Sequence, residues 1–200
     1  GLNNLAYVLE GQGSYAAAEA AYRESLAVNR QLLGESHPTI ALTMSNLAFV
    51  TYANGDRAGA IGLLREALEM NRKVLGAEHP NVAGNAASLA YWLIDERRFD
   101  EAAALLDESL AIRRKALGER HPQVAGTLTV KANLMLAQRR HEEARDLAVQ
   151  SRQILAESLP ADSWQVAAAM NVEGAALTQA GQYPDAERLL LASRAALEQA

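Results

Sequence analysis

One spacing governs this chain. His-Pro dipeptides begin at His37, His79 and His121, 42 residues apart each time. Leu-Gly pairs keep the same step at Leu33-Gly34, Leu75-Gly76 and Leu117-Gly118, with Leu159-Pro160 in the fourth place. Alanine recurs at Ala18, Ala60, Ala102, Ala144 and Ala186, preceded three residues earlier by Tyr15, Arg57, Phe99, His141 or Tyr183. A fixed period of roughly 20–50 residues marks units that bury a core only by stacking on their neighbours. The chain is therefore restricted to a repeat architecture before any residue is given a role.

Each period reads as two helices, such as Pro38 to Ala53 and Arg57 to Leu75, with a break at Asn54-Gly55. Proline at the first helical position sacrifices an N–H that has no intrahelical partner, so Pro38, Pro80 and Pro122 open helices. Glycine just past a helix end adopts the left-handed conformation cheaply, so Gly34, Gly76 and Gly118 close them. With breaks near Gly13, Gly55, Arg97, Arg139 and Gly181, ten helices are expected. Aromatics are only 5% of the chain, whereas Ala, Leu, Glu and Arg are abundant. Those are strong helix formers with few β-branched competitors, which argues against an all-β or parallel-sheet enzyme.

The two helices of a period differ in character. Arg57, Arg65, Glu66, Glu69, Arg72 and Lys73 charge one face of the second helix, while Ala60, Leu64, Leu68 and Val74 line the other. That is the pattern of an outer-layer amphipathic helix. Pro38 to Ala53 and Pro80 to Ile94 contain no charged residue, so these first helices are expected to be surrounded by protein.

These residues resemble the tetratricopeptide repeat, with its small residue in the first helix, its aromatic before the second and the alanine that lets the two pack closely. That repeat usually spans about 34 residues. The 42-residue period, the Leu-Gly-x-x-His-Pro connector and Leu2-Asn3-Asn4-Leu5-Ala6, echoed by Met44-Ser45-Asn46-Leu47-Ala48, are similar to the kinesin-light-chain variant. Armadillo and HEAT repeats have comparable lengths but leave Gly13, Gly55 and Gly181 unexplained. The resemblance implies an all-α, right-handed α-solenoid of helix-turn-helix repeats. As a single array over 1–200, it divides into a truncated repeat at 1–34, full repeats at 35–76, 77–118 and 119–160, and a divergent last repeat at 161–200. The pattern fades late: Leu5, Leu47 and Leu89 give way in register to Lys131 and Glu173, and Leu26, Leu68 and Leu110 to Arg152 and Arg194.

Composition excludes several function classes. There is no cysteine, hence no disulfide, thiolate metal site or cysteine nucleophile. Nineteen Lys and Arg against 24 Asp and Glu give a net charge of −5 without long blocks of one sign. Nucleic acid and anionic membranes are thus poor candidates for the main partner. Thr39, Thr43, Ser45, Asn46 and Asn54 interrupt the longest charge-free stretch, so no membrane span is expected. A cytoplasmic setting is the expectation. Sixteen Arg against 3 Lys fits a bacterial source.

No chemistry-bearing constellation emerges. Stacked helices lie ~8–10 Å apart, whereas histidines sharing one zinc each place a nitrogen ~2.0–2.1 Å from it. His37, His79 and His121, one layer apart, are expected to shape the loops before the first helices, and His141 to substitute for an aromatic in packing. No Gly-rich phosphate loop, His-Glu-x-x-His pair or Gly-x-Ser-x-Gly elbow is present. No catalytic residue, metal or cofactor is assigned.

What remains is a surface. In tetratricopeptide proteins the first helices line the groove, and the resemblance places one row at Asn3, Ser45, Ala87, Thr129 and Asn171. A second row is Tyr7, Phe49, Tyr91, Asn133 and Ala175, and a third is Glu10, Tyr52, Ile94, Leu136 and Thr178. Tyr7, Phe49, Tyr52 and Tyr91 offer wide apolar area with few rotors to freeze, and the amides of Asn3, Asn4 and Asn46 suit a peptide backbone. The alternative is that some of these aromatics pack as core between layers. Gly84 and Gly126 leave room either for a ligand backbone or for close helix packing. The rows lack the Lys and Arg with which chaperone-binding members and kinesin light chains grip acidic groups. The expected function is a noncatalytic module binding a peptide segment of a partner protein. The rival is a structural spacer or self-association array in a larger protein. Leu2 starts mid-helix, and Leu189, Leu190, Leu191 and Leu197 crowd the last helix. These features imply a segment of a longer chain that associates end to end when isolated.

Overall fold

Every expected break in the 42-residue period is a break in the backbone. A computed structural model describes residues 1–198, and among them ten helices and no strands occur. They are α1 (Leu2–Gly11), α2 (Tyr15–Leu33), α3 (Pro38–Ala53), α4 (Arg57–Leu75), α5 (Pro80–Asp95), α6 (Phe99–Leu117), α7 (Pro122–Ala137), α8 (His141–Ala156), α9 (Trp164–Gln179) and α10 (Tyr183–Leu197). The chain divides into two compact units, Gly1–Trp92 and Leu93–Ala200.

Local chemistry explains the punctuation. Pro38 and Pro122 sit in the first turns of α3 and α7. The histidine before each proline acts as a cap: its Nδ1 accepts the backbone N–H of Thr39, Asn81 or Gln123, all at 3.1 Å. This is the loop-shaping role expected of His37, His79 and His121. Gly34, Gly76 and Gly118 close α2, α4 and α6, but their conformation differs from the expected left-handed helical one. With φ of 80°, 91° and 86° and ψ of −170°, 153° and 163°, they lie in a region essentially reserved for glycine. In the turns inside the hairpins, Gly13, Gly55 and Gly181 have positive φ. Arg97 and Arg139 adopt the same sign, at 57° and 61°. The fourth period loses its punctuation. Pro160 replaces the glycine and α8 stops at Ala156, while Ser163 replaces the histidine and its hydroxyl makes no capping bond.

In the first unit, α1 packs on α2, α2 on α3 and α3 on α4. Ala6, Ala18, Tyr22, Ile40, Met44, Leu47 and Ala67 belong to one buried cluster. In the second unit the same succession runs from α6 to α10, with Leu110, Val124, Leu128, Leu155 and Ala169 in its core. The periodic alanines Ala18, Ala60, Ala102 and Ala144 are fully buried, as expected of close-approach positions. The charge-free α3 is enclosed over most of its surface, yet Leu42 and Phe49 are 50% and 42% exposed. The expectation that such a helix is surrounded by protein fails along this one stripe.

Candidate functional site

Residues three or four apart share a helix face, so Leu42, Ser45, Asn46, Phe49 and Tyr52 form one stripe of α3. Leu42 and Phe49 stay open, and Tyr52 is half-buried. What holds the aromatics is Trp92 of α5, itself only 4% exposed. Tyr52 stacks on its indole with centroids 4.6 Å apart and planes 7° from parallel, and Phe49 meets it edge-on at 5.2 Å. The Arg57 guanidinium lies 5.6 Å from the Tyr52 ring centroid. Aromatic pairs of this kind contribute ~0.5–1.5 kcal/mol each beyond area burial, so the rings are pre-positioned by the fold. Tyr91, beside Trp92 in sequence, and Tyr7 on α1 are exposed. The aromatics expected to face a ligand thus divide into Tyr7, Phe49 and Tyr91, which are open, and Tyr52, whose ring is half committed to packing.

The amides divide similarly. The hydroxyl of the buried Tyr22 donates to Glu10 Oε2 at 3.0 Å, and the Asn46 amide stands against the same hydroxyl. Burial, reinforced by the Glu10 carboxylate, pushes the Tyr22 phenol well above its ordinary range. Asn46 and Glu10 therefore brace α1, α2 and α3. Asn3 lies 3.5 Å from the Thr43 hydroxyl, a marginal contact, whereas Asn4 is exposed. Ser45 receives a hydrogen bond from Asn85 Nδ2 at 3.0 Å, a direct tie between α3 and α5.

Asn133 belongs to the second unit, where it is half-buried on α7. Here polar groups do structural work. Thr129 exchanges a hydrogen bond with Ser151 at 2.7 Å, and Ser151 donates to Ala125 O at 2.8 Å. Ser193 repeats that clamp 42 residues later by donating to Ala167 O. Arg113 bonds Gln123 O at 2.8 Å and Thr127 Oγ1 at 2.6 Å, and burial lowers its pKa. The charged residues that displace leucines in the late repeats are paired: Arg152 with the buried Glu173 at 2.9 Å, and Lys131 with Asp107 at 2.6 Å. His141 bonds Gln179 through Nδ1 at 3.0 Å.

Leu42, Trp92 and Asn85 were not picked out by the sequence pattern. Leu42 has a visible signal, since it lies seven residues before Phe49 on the same stripe. Trp92 does not: it sits in the register of Val8 and Val50, an apolar core position. Among the described residues no cluster of three or more His, Asp or Glu side chains could hold a metal, and no helix is long and apolar enough to cross a membrane.

Comparison with known proteins accounts for the period and the hairpins together. The sequence matches the tetratricopeptide repeat family over residues 1–73 and 83–157, well over half the chain. No curated protein matches it. Among solved structures, it is similar to a putative kinesin light chain with nearly identical TPR-like repeats from Podosopora anserina. That likeness has 26% identity and a TM-score of 0.79 over 99% of this chain and 93% of the other. BtubC (BKLC) from P. vanneervenii shares the fold at 21% identity and a TM-score of 0.82, over 99% of this chain and 79% of that one. Tetratricopeptide arrays serve generally as protein–protein interaction modules and noncatalytic scaffolds. The chain belongs to the tetratricopeptide repeat family and to the all-α repeat solenoids, with kinesin-light-chain-like proteins among its structural neighbours.

Proposed function

We propose that this chain is a noncatalytic, cytoplasmic module whose first helices bind a peptide segment of a partner protein. The binding surface is Tyr7, Phe49, Tyr52 and Tyr91 with Asn3, Asn4 and Asn46, and Asn133 continues the register on α7. One observation carries the proposal: the Phe49 ring is held edge-on against the buried Trp92 yet stays open to water, with Tyr7 and Tyr91 also exposed, on helices with almost no charge. Rigid aromatics of limited entropy cost are the common anchors of recognition surfaces. A spacer has no use for rings held in place yet left in water. The uninterrupted 42-residue period supports treating residues 1–200 as one array.

A random peptide array probed with the purified chain, followed by titration of the best binders, tests this. Binders in the micromolar range that lose affinity with Phe49→Ala support the module. An array without binders, joined to concentration-dependent self-association through the exposed Leu191 and Leu197, supports the spacer instead.

A further inference from the structure

Three exposed rings recur at one register of three successive first helices. Tyr7 on α1, Phe49 on α3 and Tyr91 on α5 are 70%, 42% and 47% exposed and stand 42 residues apart. The helices that carry them meet in order: Thr43 of α3 reaches Asn3 of α1, and Phe49 of α3 packs on Trp92 of α5. Helices in contact have axes ~8–10 Å apart, so the rings form a ladder with rungs at about that spacing. A second, hydrogen-bonding row runs three residues earlier in each helix, where Asn4 is exposed and Asn46 and Ser88 are half-buried. Both rows end within the first unit. In the second unit the ring register holds Asn133 and Ala175, and the polar register holds Val130 and Val172.

Few backbones match such a ladder. A β-strand presents side chains to one face every ~6.4–6.8 Å, too short a step. An α-helix returns to one face after two turns, about 10.8 Å, and its main chain is already hydrogen-bonded, which leaves the amide and hydroxyl row without backbone partners. Polyproline II repeats a face every three residues, about 9.3 Å, inside the required range, and its carbonyls make no internal bonds. Asn and Ser side chains donate to such carbonyls, and aromatic-lined grooves are the surfaces on which proline-rich segments dock. Charge selects in the same direction. α1, α3 and α5 hold no Lys or Arg, so an acidic segment would lose its hydration without a counter-ion, and Glu10 and Asp95, at the ends of α1 and α5, repel one. The electrostatic complement of this face is a neutral segment.

Given peptide binding by the first helices, on which this rests, we propose that the ligand is a neutral proline-rich segment in the polyproline II conformation, with prolines at every third position seated on Tyr7, Phe49 and Tyr91. Its conformation is largely preformed, so little entropy is lost on docking. Phe49, held edge-on by Trp92, is the middle rung and takes part whenever two adjacent rungs are filled.

The test titrates three end-blocked, uncharged peptides into the whole chain by calorimetry. One has proline at every third position, one has the same composition with proline at every second position, and one is a leucine-bearing helix. The first should bind at least tenfold more tightly than the second. Phe49→Leu, which keeps apolar bulk but removes the ring, should weaken it about tenfold, and so should Tyr91→Ala. If Phe49→Leu melts below the parent, ring resonances of Tyr7 and Tyr91 in the parent report the same contact: they should shift when the first peptide is added, and unmoved resonances overturn the inference. Equal affinity for both proline spacings, or preference for the helical peptide with loss on Phe49→Leu, overturns the polyproline ligand and leaves peptide binding by these rings standing. Silence from all three peptides overturns the inference as well, and the random peptide array then decides whether peptide binding survives it.

Discussion

Gly174 stands where the earlier periods have Ala6, Ala48, Ala90 and Ala132, all fully buried. On helix propensity alone, Gly174→Ala in the interior of α9 gains about 1 kcal/mol. The structure reverses that sign. A Cβ on Gly174 comes within 2.7 Å of Leu190 Cγ and 2.8 Å of its Cδ2, closer than carbon atoms pack, and Ala186 O stands 3.5 Å away. Forcing a methyl into such a contact costs about 1–3 kcal/mol. The net expectation is a loss of about 1 kcal/mol, or roughly 2–4 °C in Tm for a chain of this size. One layer earlier the equivalent pair is Ala132 and Ala148, and both are buried in one cluster. Gly174→Ala introduced into a Leu190→Ala background recreates that pair and should gain about 1 kcal/mol. The double-mutant cycle then has a coupling of about 2 kcal/mol. Urea unfolding of the four proteins, followed by circular dichroism, measures it. Equal effects of Gly174→Ala in both backgrounds would refute the packing of α9 on α10 described here.

Three further perturbations address the hairpins. Ala60→Leu adds bulk at a fully buried position between α3 and α4 and should cost about 1–3 kcal/mol; a melting temperature equal to the parent's would show that the alanine register does not mark close approach. Arg139→Gly relieves a side chain held at a φ of 61°, which costs about 1 kcal/mol, and forfeits part of that to backbone entropy. Tm should rise by a degree or two, and a fall would contradict the turn. For Glu19, burial pushes the carboxyl up, but hydrogen bonds from Arg23 and Asn54 outweigh it and leave the pKa below its ordinary 4.5. Its stabilisation is present above that value and disappears as pH falls below it. Glu19→Gln should therefore flatten the acid end of the stability profile, and an unchanged profile would refute this.

The fold was legible because its signals repeat. Pro38, Pro80 and Pro122 begin helices where the spacing puts them, and the intrahairpin breaks fall at the same register even where arginine replaces glycine. Local chemistry fixed these boundaries, and five copies averaged out the noise of any one. The candidate surface was legible only in part. Tyr7, Phe49 and Tyr91 are open, and their common register is what periodicity reveals. That Phe49 and Tyr52 share Trp92 depends on two residues some 40 positions apart meeting across layers, and no local pattern encodes that meeting. Asn46 shows the converse problem. Its side chain has the right chemistry for a peptide backbone, but the hydroxyl of Tyr22 from another helix already engages it. The serines that clamp neighbouring carbonyls escaped notice because Ser151 and Ser193 look like ordinary helix surface in sequence, yet both are buried.

Recognition by open aromatic rings on an uncharged face is the central claim, and one comparison tests it most directly. A peptide taken from the array is titrated into the parent, Phe49→Ala and Tyr91→Ala, at low and at high salt, with circular dichroism and melting checked for each protein. Each substitution, in a protein that keeps the parent's dichroism and melting, should weaken binding at least tenfold, the loss of a recognition anchor worth about 1.4 kcal/mol or more. Salt should weaken it only modestly, because no charge pair carries the contact. Binding that falls steeply with salt and ignores both substitutions would contradict the claim and move the site to the arginine-bearing second helices.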